Sequence, residues 1–275
     1  MSLVLGIAVG LILGLTGAGG SVLAVPLLMA GLGWSLTQAV PVALLAVAAA
    51  AALGAWLAWR QSYVRYRAAA LMSALGLLVA PLGLRASELL PPSTLALLFA
   101  AVLGIVAVRL LRQSLRAPAE AAVLRATVAG DGAPARGSIC QLDADGRIRW
   151  TPRCAALMSA IGAGAGFLSG LLGVGGGFVI VPSLRAASPL SMHSAVATSL
   201  MVIAIVSAGT ALGAVLQGRA LPWIVALPFV AGGLLGMLGG RRLSRQLPGL
   251  RLQQGFALLM LLTAAGMALH GLEFF

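Results

Sequence analysis

The sequence predicts an all-α polytopic membrane protein made of two homologous, inverted repeats, each a glycine-broken, re-entrant helix followed by three transmembrane helices. Three observations lead there. Of the 275 residues, 60% are hydrophobic and 9% charged, and apolar runs of about 18 residues or more, enough to cross a bilayer, recur from end to end. A shift of 156 residues lays the second half on the first. The arginines fall almost wholly on one side of one threading of the chain. A membrane β-barrel is excluded because its strands would alternate over short segments, whereas these runs are continuous.

The apolar segments lie at 3–30, 36–58, 67–86, 93–112, 154–187, 192–216, 221–241 and 250–271. They divide into an N-terminal membrane repeat (1–112), a polar insert (113–152) and a C-terminal membrane repeat (153–275). Met1-Ser2-Leu3 has no basic leader and reads as part of the first membrane segment. The first segment carries Gly14-Leu-Thr-Gly-Ala-Gly-Gly-Ser-Val-Leu-Ala-Val-Pro-Leu-Leu28. The fifth carries Gly170-Leu-Leu-Gly-Val-Gly-Gly-Gly-Phe-Val-Ile-Val-Pro-Ser-Leu184, 156 residues on. The same shift pairs Ser35 with Ser191, Gln61 with Gln217, Gly83 with Gly239, Arg85 with Arg241 and Pro92 with Pro248. A gapless match of this kind points to internal duplication, a common plan of secondary transporters. Within the insert, Ser138-Ile-Cys-Gln-Leu-Asp-Ala-Asp-Gly-Arg-Ile-Arg-Trp-Thr151 reads as two short strands around an Asp145-Gly146 turn. Cys140 and Cys154 show neither a disulfide framework nor metal-ligand spacing, and are expected as reduced thiols near the cytosol.

The net charge of +12 comes from arginine alone; there is no lysine. No folded domain is left to carry nucleic acid, so these arginines read as loop charges that set topology. If segments 1 and 5 cross fully, the 18 arginines divide 12 to 6. If both are re-entrant, only Arg85 and Arg219 lie opposite the other 16. The second division obeys the positive-inside bias far better. It puts both termini outside, the insert in the cytosol, and the second repeat upside down relative to the first.

Irregular backbone at membrane depth survives only when packed in protein or lining a wet cavity. Paired interruptions are therefore the best pointer to a transporter's site. A helix that restarts after such a break, near Ser21 or Phe178, presents free N–H groups and the positive end of its dipole. It can hold an anion without a charged side chain. The candidate substrate-binding residues are Gly17, Gly19, Gly20, Ser21, Gly173, Gly175, Gly176 and Gly177. Gly6, Gly10, Gly14 and Gly162, Gly166, Gly170, spaced by four, read instead as close-packing helix faces. Pro26 and Pro182 are expected to kink the arm that follows each break.

Thr16, Gln38, Ser73, Ser159, Ser169, Thr198, Ser199, Ser207, Thr210 and Gln217 are the polar residues within apolar segments. Each reads first as a helix–helix hydrogen bond or a back-bond to a carbonyl four residues earlier. Thr198 and Ser199, adjacent hydroxyls just after the second break, are also candidates for ligand contact. His193 reads as interfacial, and His270 lies near the chain end. No acid falls mid-segment, which leaves no carboxylate proton relay. No cofactor or metal site is expected; the expected partners are a small anion and the lipid bilayer.

The two glycine blocks resemble the signature of the sulfite exporter TauE/SafE family, also called the toluene sulfonate uptake permease family. Met192-His-Ser-Ala-Val-Ala-Thr-Ser-Leu200 is similar to that family's second stretch, which ends in Thr-Ser-Leu. The resemblance implies a bacterial inner-membrane transporter of sulfite, sulfonates or related organosulfur anions. In the first repeat Pro41-Val42-Ala43 stands where Ala197-Thr198-Ser199 stands in the second, so the implied site is asymmetric. An anion leaving an inside-negative cell gains about 2.3 kcal/mol per charge per 100 mV, which favours export. The alternatives are an uptake permease for another organic anion and an intramembrane enzyme. For the latter, the serine of Gly166-Phe-Leu-Ser169-Gly170 stands one position too far from the first glycine of a GxSG motif. The chain is therefore expected not to be an enzyme.

Overall fold

A computed structural model describes residues 1–16, 19–61, 63–128, 140, 149–188, 190, 192–218, 221–243 and 249–272. Among these residues the chain is all-helical, without strands. The expected hairpin of 138–151 falls almost entirely outside them. The helices are α1 (Ser2–Thr16), α2 (Ala24–Leu32), α3 (Leu36–Trp59), α4 (Tyr66–Leu89), α5 (Pro92–Val128), α6 (Pro152–Leu172), α7 (Gly177–Ala187), α8 (Met192–Leu216), α9 (Trp223–Leu243) and α10 (Gly249–Leu272). Among the described residues, six stretches are long and apolar enough to cross a membrane: 38–59, 66–89, 92–109, 152–172, 193–216 and 223–243. The fourth apolar segment does not stop at 112. Helix α5 continues to Val128, 37 residues in all. At 1.5 Å per residue it is about 55 Å long, well beyond a hydrocarbon core of about 30 Å.

Lipid offers no hydrophobic drive between helices, so association depends on how closely backbones approach. The spaced glycines do this work. A Cβ on Gly6, Gly10 or Gly14 of α1 would strike the carbonyl of Phe229, Gly233 or Met237 on α9. On α6, Gly162, Gly166 and Gly170 meet the carbonyls of Met72, Gly76 and Ala80 on α4 in the same way. Glycines answer from the partner helices: Gly232, Gly236 and Gly240 lie against Leu3, Ile7 and Leu11, and Gly83 lies against Phe167.

These contacts also fix helix directions. Numbers rise together along α1 and α9 and along α6 and α4, so each pair runs in one direction. Helices α4 and α8 are also parallel: the Arg65 amide donates to Thr198 Oγ1 at 3.1 Å, Gly209 meets Leu77, and Gly213 meets Leu84. On α3, Gly54 lies by Leu200, while Val47, Ile203 and Ser207 converge on Gly175; α3 and α8 are therefore antiparallel. Arg241 Nη1 donates to the Gly54 carbonyl at 3.0 Å, and Gly233 faces Ala46, which makes α3 and α9 parallel. Helices α1, α3 and α9 thus point one way, and α4, α6 and α8 the other.

One expectation is overturned. Cys140 and Cys154 are not free thiols; they form a disulfide with Cα atoms 5.1 Å apart. Sequence spacing could not reveal it, because the pairing depends on where the insert returns to the bundle. The Cys140 amide donates to the Ala187 carbonyl at 2.9 Å. Cys140 therefore touches the first turn of α6 and the last residue of α7 together. These two helices fold back on each other with both free ends at one place.

Candidate functional site

The two glycine breaks are built differently. At the first, the Gly20 amide donates to Thr16 Oγ1 at 3.2 Å, and the Thr16 hydroxyl in turn donates to the Ile12 carbonyl at 2.8 Å. The chain then runs through a 3₁₀ turn, Gly19–Leu23, and the α-helix resumes only at Ala24, not near Ser21. A Cβ on Gly20 would strike the backbone of Leu13, so this break folds flat onto its own helix. Ser21 is fully buried. Gly17 lies outside the described residues. Pro26 sits in the first turn of α2, where no amide is needed, so it starts that helix rather than kinking it.

The second break is more open in its hydrogen bonding. Gly173 caps α6 in the left-handed conformation, φ 71°, its amide donating to the Ser169 carbonyl at 2.9 Å. Gly175 and Gly176 follow at φ 70° and 67°, a region that side chains with a Cβ enter only under strain. Helix α7 restarts at Gly177. Among the described residues, the first amides after Gly173 to find an acceptor are those of Val179 and Ile180, both on the Gly176 carbonyl. The amides of Val174 through Phe178 are thus left for another partner, at the positive end of an 11-residue helix.

The break sits at the middle of the bundle. A Cβ on Gly175 would stand 2.7 Å from Ser207 Oγ, 3.2 Å from Val47 Cγ1 and 3.3 Å from Ile203 Cγ2; Val47 and Ile203 lie midway along α3 and α8. Gly173 lies against Val40 of α3, and Gly176 against Ala165 of α6. The 3₁₀ turn of the first break packs on α7, the helix that follows the second break. The walls are neutral: valine, isoleucine, alanine and serine.

Thr198 and Ser199 are fully buried but not beside this break. Ser207 is the residue of α8 that reaches Gly175, and Thr198 precedes it by nine positions, about 13 Å along a helix. The Thr198 hydroxyl donates to the Ser194 carbonyl at 2.7 Å while accepting from Arg65. Ser199 donates to the Val196 carbonyl at 2.8 Å. His193 is exposed and lies 5.8 Å, ring to ring, from Tyr63, which fits an interfacial place. The back-bonding expected of Thr16, Thr198 and Thr210 is present. It is absent for Ser73, Ser169 and Ser207, whose buried hydroxyls have no hydrogen-bond partner.

A recess of about 180 Å³ lies between α5, α6 and α7. It runs from Arg109, which is exposed, past Val106, Val179 and Pro182 to Phe178 in the first turn of α7.

The family model of the sulfite exporter TauE/SafE proteins matches residues 2–267. The chain belongs to the sulfite exporter TauE/SafE family. Two curated relatives, each called a probable membrane transporter protein, come from Xylella fastidiosa strains 9a5c and Temecula1. They are 31% identical over 231 and 234 residues, covering 83% of this chain and 78% of theirs. No solved structure matches the chain. This TauE/SafE chain is a multi-pass membrane protein with a transport role.

Proposed function

We propose that the protein is a secondary transporter or facilitator that exports a small sulfur-containing anion, such as sulfite or a sulfonate, across the bacterial inner membrane. The observation that carries this is the run of amides from Val174 to Phe178, without acceptors among the described residues, at the middle of a bundle with neutral walls. An amide left bare in a dry interior costs several kcal/mol; an oxyanion lodged there would satisfy several amides at once. The family model, described by sulfite export, agrees with that chemistry.

The threading is part of the proposal. Under the 156-residue shift, α1 corresponds to α6, α3 to α8 and α4 to α9, and each pair runs in opposite directions, which supports inverted repeats. The meeting of α6 and α7 ends at Cys140 supports a re-entrant hairpin. Helix α7, with 11 residues, reaches about 16 Å, half of a hydrocarbon core. The break then lies near the midplane, where alternating access needs its site. The arginine bias favours the insert and the open end of this hairpin on the cytosolic side.

The test is flux into and out of proteoliposomes with sulfite, thiosulfate, sulfate and taurine at imposed potentials. Anion movement should follow the potential, since no mid-segment acid is present to couple protons. Flux that ignored the potential but tracked a pH gradient would refute uncoupled export. An absence of flux for every sulfur anion would refute the substrate class.

A further inference from the structure

We infer that the two breaks are not equivalent: the anion is seated at the second alone, where the hydroxyls of Ser207 and Ser169 join the amides as donors. This rests on the anion reading above and adds to it which break binds and which side chains take part. Ser207 is fully buried, its hydroxyl has no partner, and its oxygen points into the break, 2.7 Å from where a Cβ of Gly175 would stand. Ser169 is also fully buried and unpartnered. It lies one turn beyond Ala165, the residue of α6 that touches Gly176, so both share the helix face under the loop. Two orphan hydroxyls thus flank one run of orphan amides.

A buried hydroxyl without a partner has lost its hydrogen bonds to water and gained none, and two beside the same loop point to a ligand that completes them. The first break lacks the two hydroxyls. Ala51 and Leu13 stand 156 residues before Ser207 and Ser169. Thr16, which satisfies the Gly20 amide, has Leu172 as its counterpart, so the amide that is capped in one break is bare in the other. All the donors at the second break are neutral. The cost of removing a charge from water rises steeply with its size, so the seat suits a singly charged oxyanion, a sulfonate or hydrogensulfite, better than doubly charged sulfate.

The experiment uses the full chain in nanodiscs, with methanesulfonate, sulfite and sulfate as probes and thermal stability as the readout. Ser207→Ala and Ser169→Ala should each leave the ligand-free protein as stable as wild type or more so, because an unsatisfied group is removed. Each should weaken methanesulfonate binding about 10- to 100-fold, the loss expected for a hydrogen bond to a charged group. Ala51→Ser, which adds a hydroxyl at the first break, should not strengthen binding. Unchanged affinity in both serine variants, with wild-type binding intact, would overturn the seat but leave the anion reading standing. Failure of wild type to bind any of the three anions would overturn both. Equal loss from an alanine at Ser199, which does not reach Gly175, would also overturn the assignment.

Discussion

Replacing Gly175 with alanine separates backbone strain from occupancy of the break. Gly175 has φ 70° and Gly33, at the end of α2, has φ 65°. An alanine in the left-handed region costs roughly 1–2 kcal/mol at either position. At Gly33 nothing lies within 4 Å of the new methyl, so that is the whole cost. At Gly175 the methyl meets Ser207 Oγ at 2.7 Å, Val47 at 3.2 Å and Ile203 at 3.3 Å. Overpacking of this kind adds about 1–3 kcal/mol, for a total of about 2–5 kcal/mol. Unfolding in mixed micelles by added SDS, followed by tryptophan fluorescence, gives both values. Gly175→Ala should also abolish flux, because its methyl occupies the approach to the amides, while Gly33→Ala should transport normally once folded. Adding Ser207→Ala should recover part of the stability but none of the flux. Equal stability losses at the two glycines, with transport intact in both, would refute the claim that Gly175 lines a crowded functional break.

The packing faces make a second contrast. Gly10→Leu and Gly166→Leu should each prevent assembly of a stable bundle, read as loss of a monodisperse peak in size-exclusion chromatography, since both drive a side chain into backbone. By contrast, Gly104→Ala, with nothing within 4 Å of its Cβ, should stabilise α5 by about 0.5–1 kcal/mol in the same SDS titration. Arg241→Gln should lower stability by about 1 kcal/mol by removing the guanidinium bond to the Gly54 carbonyl, measured in the same unfolding assay.

Much of this architecture can be read from residue types alone because lipid is a demanding solvent. Segments such as 36–58 and 192–216 differ from α3 and α8 by at most one residue at an end, since apolar length and backbone self-satisfaction leave only a helix. The four-residue spacing of Gly6, Gly10 and Gly14 announced a close-packed face for the same reason: one helical turn returns to one side. The candidate breaks at Gly17–Gly20 and Gly173–Gly177 were visible as glycine runs in apolar surroundings. The length of α5 was not, because polar residues beyond 112 read equally as loop or as solvated helix.

Tertiary structure alone decided which helix each glycine face meets. Both faces are chemically alike, and only the fold pairs α1 with α9 and α6 with α4. It also decided that Cys140 meets Cys154, and that Ser207 rather than Thr198 reaches the second break. Such outcomes depend on relative helix direction and register, which composition and periodicity do not encode, because a side chain's pattern along its own helix is the same whatever stands opposite. The chain's own pattern therefore determined a bilayer-spanning helical bundle with two interruptions. The packing determined that Thr16 caps the Gly20 amide at one interruption, while at the other the amides of Val174 through Phe178 find no acceptor among the described residues.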